Sequence, residues 1–334
     1  MTNDLNGRCF GTIATLLIAA TLPAACASED PFAGDDSTGE STGSMATSAT
    51  TTSTSVATTA STTTAGSADG TDDGPATDTA TGTDDGPSTT GEGECLPTPT
   101  RVVVLGDSIY TCVTAGGPDS AGCAPKIVQT HVSEILGPTT YENFAVNGAV
   151  THDIPDEQLG MIPVGMPGHT LVLIYIGGND LADYIFASDE DTIAGYAEKR
   201  PELDANWVDI FAFLQDPANF PDGTTILMNT QYNPFDDCTA PPYNLSATKI
   251  DMLHMFNEDL IAKAAAQPNA YIADQHGPFL GHGHHYRVDS CPHFIPDAEA
   301  WMIDLDLIHP YGAGHVNLGD ELNLVVDGLY AGCE

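Results

Sequence analysis

The stretch RVVVLGDSI, residues 101–109, decides the fold class of this chain. Its run of valines and a leucine is typical of a strand that is buried on both faces. The run stops at Gly106-Asp107-Ser108, residues that favour a tight turn. The pattern therefore predicts a buried strand that delivers Ser108 to its carboxyl end. Alone, a Gly-Asp-Ser turn is weak evidence for function, because such turns are common for local reasons.

Segments of the same kind recur along the chain and alternate with helical patterns. Four further apolar runs predict strands at 142–146, 170–177, 224–230 and 270–274. Between and after them, apolar residues at helical spacing predict helices at 125–136, 203–215, 246–266 and 313–330. This alternation predicts a parallel sheet with helices on both faces, in which ligands bind beyond the carboxyl ends of the strands.

Polar turns follow the predicted strands at that same edge. Asn147-Gly148 follows the second strand, and Gly177-Gly178-Asn179-Asp180 follows the third. Near the C-terminus, Asp306 precedes His309 by three residues. Each of these turns has an ordinary local explanation, so only their combination and order favour a function. Asp107 and Asp180 are expected to support the turn backbone, and His315 to begin the last helix.

Together, these four segments resemble the GDSL esterases of the SGNH hydrolase superfamily, over essentially all of residues 100–330. The resemblance implies a flavodoxin-like three-layer α/β/α sandwich with a central five-stranded parallel sheet. It implies a carboxylic-ester hydrolase with Ser108 as nucleophile, His309 as general base and Asp306 as the group that orients the imidazole. The implied oxyanion donors are the backbone N–H groups of Ser108 and Gly148 and the side-chain amide of Asn179.

Three predicted insertions bear on which ester the protein binds. Predicted insertions at 181–202, 231–245 and 275–305 carry aromatic residues that could line an acyl groove or stack on sugar rings. The expected substrate is therefore a small-molecule, lipid or carbohydrate ester, with short acyl or acetyl groups among the candidates. A non-catalytic surface binding module on the same fold is the alternative.

Five histidines between residues 276 and 293 raise the question of a metal. A second alternative is a metal-dependent hydrolase that uses this His-rich loop, made of His276, His282, His284, His285 and His293. The loop lacks an H-E-x-x-H motif, and a loop of this composition also occurs in GDSL esterases that need no metal. We therefore expect no cofactor and no metal.

The first 94 residues differ in composition from the rest. Residues 10–25 form an apolar run that is too short to span a bilayer, which predicts a signal peptide over 1–26. LPAAC at 22–26 resembles a lipobox with Cys26 as the lipidated residue, although Ala25-Cys26-Ala27 also fits ordinary secretion. Residues 27–94, rich in Thr, Ser, Gly and Asp, predict a disordered tether. Localisation is thus expected to be cell-surface or outer-membrane lipoprotein, or secreted.

Residues 95–334 are predicted to form one hydrolase domain held by disulfides. An even number of cysteines in an exported chain favours disulfides, although the spacing leaves fifteen connectivities open. Candidate pairs are Cys112–Cys123, which closes a short loop, Cys95–Cys333, which joins the domain's ends, and Cys238–Cys291, which joins two long loops.

The net charge of the chain excludes some partners. Eight basic residues face 47 acidic ones, for a formal charge of −39. A chain of this charge has no basic surface for nucleic acid, and it is repelled by anionic membrane surfaces. Membrane contact is expected only through the N-terminal lipid anchor, and the domain is expected to be a monomer.

Overall fold

The computed structural model describes residues 95–185, 187–304 and 306–331. The predicted signal peptide, Cys26, the tether over 27–94 and Cys333 lie outside the described residues. No helix in the described part of the chain is both long and apolar enough to cross a membrane.

Five parallel strands form a single sheet in the order β2-β1-β3-β4-β5. Their bounds are β1 Pro99–Gly106, β2 Thr140–Asn143, β3 His169–Tyr175, β4 Thr224–Asn229 and β5 Ala270–Ala273. The strand order reverses direction between β1 and β3, so a crevice opens beyond their carboxyl ends, the usual position for a ligand. The predicted five-stranded parallel sheet is confirmed, with β2 slightly earlier than the predicted 142–146.

Seven helices connect or follow the described strands. Their bounds are α1 Ser108–Thr111, α2 Ala124–Leu136, α3 Gly178–Ile185, α4 Asp189–Leu214, α5 Ala247–Ala265, α6 His276–Phe279 and α7 Gly312–Tyr330. Short helical turns occur at Val113–Ala115, Ile154–Gln158 and Leu159–Met161. Four of these helices, α2, α4, α5 and α7, correspond to the predicted ones.

Alternate strand residues build two separate cores, one on each face of the sheet. Val102 and Val104 of β1 face one core, which α2 and α7 complete with residues such as Val128 and Leu322. Val103 faces the opposite core, to which α4 and α5 contribute their apolar faces. Because both faces of the strands are covered by helices, the predicted three-layer α/β/α sandwich is confirmed.

Helix α4 begins earlier than the predicted 203–215, within the segment 181–202 that was predicted to be an insertion. The hydroxyl of Ser188 accepts a hydrogen bond from the Asp191 N–H, and the first turn is acidic, so capping and the helix dipole favour a start at Asp189. Pro201 is accommodated inside the helix. The segment 181–202 is therefore most of α3 and the first half of α4, rather than an insertion loop.

Two predicted disulfides are present, Cys112–Cys123 and Cys238–Cys291. The first closes a short loop after α1, and the second joins the β4–α5 connection to the long segment after α6. Cys95 is also disulfide-bonded.

Candidate active site

The end of β1 places Ser108 at the crevice. The chain can turn there because residue 106, the last of β1, is a glycine. Gly106 has φ +146°, and a Cβ at this position would lie 2.2 Å from the carbonyl oxygen of Tyr175. Asp107 then caps α1, because its Oδ1 accepts a hydrogen bond of 2.9 Å from the Ile109 N–H. Ser108 consequently begins a helix at the carboxyl edge of the sheet, with its side chain half-buried.

Ser108, His309 and Asp306 form one continuous chain of hydrogen bonds. The Oγ of Ser108 lies 2.8 Å from Nε2 of His309, and Nδ1 of His309 lies 2.8 Å from Oδ2 of Asp306. Because the carboxylate accepts the Nδ1 hydrogen, Nε2 is left to accept the hydroxyl hydrogen of Ser108. The arrangement can draw a proton from the serine as the hydroxyl attacks a carbonyl carbon.

Backbone contacts hold the Asp306 carboxylate in its ionised form. Partial burial raises the pKa of Asp306, but hydrogen bonds from the backbone and ring of His309 and from the Ile308 N–H outweigh it and keep the pKa below its ordinary value. A residue from another segment also holds the loop that carries Asp306 and His309, since the Tyr232 hydroxyl donates a hydrogen bond of 2.5 Å to the Ile308 carbonyl. A charged carboxylate at this position orients the imidazole and stabilises its cation.

Asn179 lines the pocket beside Ser108, and a hydrogen bond connects it to the turn that carries Gly148. Gly148 has φ +77°, and the Asn179 amide donates a hydrogen bond of 2.8 Å to the carbonyl oxygen of Ala149, which ties the two turns together. Among the described residues, no acceptor occupies the backbone N–H of Ser108 or of Gly148. Free, fixed N–H groups of this kind can stabilise a developing oxyanion.

Asp180 is buried and contacts a second loop. The sequence predicted only that it supports its own turn. Oδ2 of Asp180 accepts hydrogen bonds from the backbone N–H and the hydroxyl of Thr151, at 2.8 and 2.7 Å. Burial raises the pKa of Asp180, and the two contacts from Thr151 lower it in part. Asp180 therefore connects the turn after β3 to the loop that carries Gly148.

The pKa of Asp107, the residue before Ser108, is raised. Burial raises its pKa to about 7, the Ile109 N–H opposes this shift, and the nearby Asp180 carboxylate adds to it. The hydrogen bond to α1 agrees with the structural role expected from the sequence.

A pocket opens from Ser108 and Asn179 toward α3 and α5. Its wall is mainly apolar, and Lys249 supplies a cation. Apolar side chains that the sequence analysis did not single out contribute much of the lining: Leu181, Ala182, Ile185, Leu245, Met252 and Leu253. No sequence signal distinguished them, because apolar residues on helices that cover a sheet normally pack into the core.

None of the five histidines between 276 and 293 lines this pocket. The His282 ring stacks on Trp301 with centroids 3.7 Å apart, and both ring nitrogens of the buried His285 lie 2.9 Å from backbone carbonyl oxygens. His284 packs beside Tyr243, and His293 is exposed. His276 contacts Asp237. The contacts of these histidines therefore lie outside the pocket.

His315 also behaves as the sequence predicts, as part of α7 rather than of the crevice. It is fully buried, and its Nε2 lies 3.1 Å from the Thr114 hydroxyl. Burial lowers the pKa of His315 to about 4, and repulsion from His309 adds to the effect.

The chain belongs to the GDSL-like lipase/acylhydrolase family, whose sequence model matches residues 104–316. The protein is therefore a carboxylic-ester hydrolase, as the resemblance implied. The matched residues run from the end of β1 into α7 and include every residue of the candidate active site.

Several solved structures are similar to this chain. Phospholipase A1 from Streptomyces albidoflavus NA297 is 20% identical, with 68% of this chain and 99% of that chain covered and a TM-score of 0.49. An extracellular lipase from Streptomyces rimosus is 21% identical (67% and 99% covered, TM-score 0.48). The acetylxylan esterase Axe2 from Geobacillus stearothermophilus is 15% identical (70% and 95% covered, TM-score 0.44). A comparison with curated proteins gives no match.

Proposed function

We propose that the protein is an exported serine esterase that hydrolyses carboxylic esters through an acyl-serine intermediate. The observation that carries the proposal is the unbroken hydrogen-bond chain from Asp306 through His309 to Ser108, with 2.8 Å at each step. A serine hydroxyl is a weak nucleophile until an adjacent base accepts its proton, and the position of His309 supports its role as that base.

The proposed reaction has two half-reactions. His309 takes the hydroxyl proton while Oγ of Ser108 bonds to the ester carbonyl carbon, and the resulting oxyanion is stabilised by the N–H groups of Ser108, Gly148 and Asn179. The imidazolium then gives its proton to the leaving alcohol as the C–O bond breaks, which leaves the acyl-serine. Water, deprotonated by His309, attacks this ester in turn and releases the acid and free Ser108.

The apolar pocket favours a substrate with an aliphatic acyl chain over an acetylated sugar. Side chains such as Leu181, Ile185 and Met252 offer no hydrogen bonds to sugar hydroxyls, whereas they shield the methylene groups of a chain from water. Burying one methylene contributes about 0.8 kcal/mol. We therefore propose esters of medium or long acyl chains, as in lipids, as the preferred class.

The test is hydrolysis of a p-nitrophenyl ester series from acetate to palmitate. We expect Ser108→Ala to lower kcat at least ~10⁴-fold in a folded protein, because the nucleophile is lost. Ser290→Ala, at an exposed serine, is the matched control. We also expect kcat/KM to rise from acetate to a medium chain. Substantial turnover in Ser108→Ala would refute the mechanism, and an inactive folded wild type on every ester would favour the binding-module alternative.

Export is proposed from the predicted signal peptide over 1–26 and from the disulfides Cys112–Cys123 and Cys238–Cys291, since such bonds persist in oxidising compartments. We propose that Cys26 is lipidated and that 27–94 is a flexible tether for the domain over 95–334. Cys26→Ala is then expected to move the protein from the membrane fraction to the soluble exported fraction. An unchanged distribution would contradict lipidation, and retention of the wild type in the cytoplasm would contradict export.

A further inference from the structure

Three side chains outside the pocket converge on one point from separate segments. Asp237 lies in the connection from β4 to α5, His254 lies on α5, and His276 begins α6. Nε2 of His254 lies 2.8 Å from Oδ2 of Asp237, and Nε2 of His276 lies 3.1 Å from the same oxygen. The catalytic chain of Ser108 uses none of them.

We propose that Asp237, His254 and His276 bind a divalent transition metal ion of the zinc type. Two imidazole nitrogens and one carboxylate are a common donor set for Zn²⁺, with bonds of about 2.0–2.2 Å. Tetrahedral ligands at that radius lie about 3.4 Å apart. The candidate ligand atoms of the three residues all lie within 4.8 Å of one another, so small side-chain rotations suffice to admit the ion.

The surroundings of the cluster favour a metal over a simple ion pair. Asn233 donates a hydrogen bond of 2.6 Å to Oδ1 of Asp237, the kind of outer contact that orients a ligating carboxylate. Both histidines direct Nε2 at the same oxygen of one carboxylate, with ring centroids 4.9 Å apart. A single ion would satisfy all three groups at once.

An ion can reach these residues from solvent. The His254 side chain is 42% exposed, whereas those of His276 and Asp237 are 15% and 9% exposed. The site thus has one open side, where water can complete the coordination. The strongly acidic domain also concentrates cations near its surface.

The bound ion would act as a clamp on the pocket wall. The segment that carries Asp237 also carries Tyr232, Asn233 and Phe235, which line the pocket. An ion joined to α5 and α6 would hold that wall in place without entering the hydrolysis, because none of its three ligands lines the pocket. This inference does not depend on the proposed acyl-serine mechanism.

Titration of the metal-stripped protein with ZnCl₂ tests the proposal. By calorimetry we expect one equivalent to bind, and by thermal unfolding we expect Tm to rise about 5 °C or more at a hundredfold excess over Kd. His254→Ala and His276→Ala should each abolish both effects. The control is His131→Ala, because His131 pairs with Asp327 alone and should leave zinc binding unchanged.

Cobalt provides a second readout, independent of folding stability and of esterase activity. Co²⁺ in place of Zn²⁺ should give the visible absorption of a tetrahedral site in wild type and in His131→Ala, but not in His254→Ala. Absence of a bound equivalent in wild type, or equal binding and absorption in His254→Ala, would overturn the proposal. If both alanine variants misfold, Asp237→Asn, which preserves the shape of the side chain and can still accept the hydrogen bond from Asn233, should weaken Zn²⁺ binding at least tenfold, and unchanged affinity there would also overturn the proposal.

Discussion

Among the side chains around Ser108, Asn179 is the one whose proposed role, stabilisation of the oxyanion, can be tested by a single substitution. Its amide borders the crevice while one N–H is held by the Ala149 carbonyl at 2.8 Å. We expect Asn179→Ala to lower kcat about 100- to 1000-fold with little change in KM, because the amide is needed mainly when the oxyanion develops. Steady-state kinetics on a p-nitrophenyl ester measures this.

The matched control for that prediction is Asn219→Ala. The Asn219 amide also donates to a backbone carbonyl, that of Phe213 at 3.1 Å, but it does not line the pocket. It should keep kcat within about twofold of wild type. A kcat for Asn179→Ala that matches this control would remove Asn179 from the proposed oxyanion hole.

His315 carries a residue-scale prediction about pH and stability. Its folded pKa is lowered to about 4, below the ordinary 6.5, so the unfolded chain binds more protons between these values. The free energy of unfolding therefore falls as pH falls from about 6.5 to 4, by up to about 3 kcal/mol. Urea unfolding across this range should show a smaller acid loss in His315→Gln than in wild type.

The quantity to compare is the difference in the free energy of unfolding between wild type and His315→Gln, because other groups titrate in the same pH range. Asp107, with its pKa raised to about 7, contributes an opposite slope that is common to both. Asn219→Ala, which removes no titratable group, should keep the pH dependence of the wild type. Parallel profiles for His315→Gln and wild type would contradict the prediction.

At the scale of elements, the two disulfides close loops of very different length. Cys238 and Cys291 are 53 residues apart, whereas Cys112 and Cys123 are 11 apart. Chain-entropy estimates give about 4 kcal/mol for the longer loop and about 3 kcal/mol for the shorter one. Replacing Cys238 and Cys291 together by Ala should lower the free energy of unfolding more than replacing Cys112 and Cys123, as urea unfolding can show. The reverse order would show that local packing outweighs loop entropy.

Helix α4 is longer than its local sequence predicts. Periodicity predicts only 203–215, since Pro201 and the charged residues before it disfavour a helix. In the fold, Ser188 caps the helix, and Tyr196 packs in the core against Phe256 of α5. Tertiary packing of that face thus outweighs the local signal.

At the scale of the whole molecule, the negative charge of the domain affects its approach to a charged lipid surface. Residues 95–334 hold 33 acidic and 7 basic residues. We expect hydrolysis of an ester carried in anionic vesicles to be slow at low salt and to rise several-fold as salt shortens the Debye length from ~30 Å to a few ångströms. Zwitterionic vesicles with the same ester are the control and should show little salt dependence. Faster hydrolysis on anionic vesicles at low salt would contradict this.

Sequence alone was sufficient for the sheet, the three layers and the candidate catalytic residues. Buried parallel strands are continuous apolar runs, and chemistry at a sheet edge needs particular residue types directly after them, so both leave local signals. The run at 101–106 and the turn with Ser108 are such signals, as are Asn179 and the Asp306–His309 pair.

Only the tertiary structure decided which side chains meet across long separations. The apolar pocket between α3 and α5, the support of the Gly148 loop by Asp180 and the cluster of Asp237, His254 and His276 all join residues from different segments. Their local sequences resemble an ordinary helix face, a turn and scattered surface histidines. The physical reason is that such contacts depend on how helices and loops pack on the sheet, and packing leaves no period or motif in the chain.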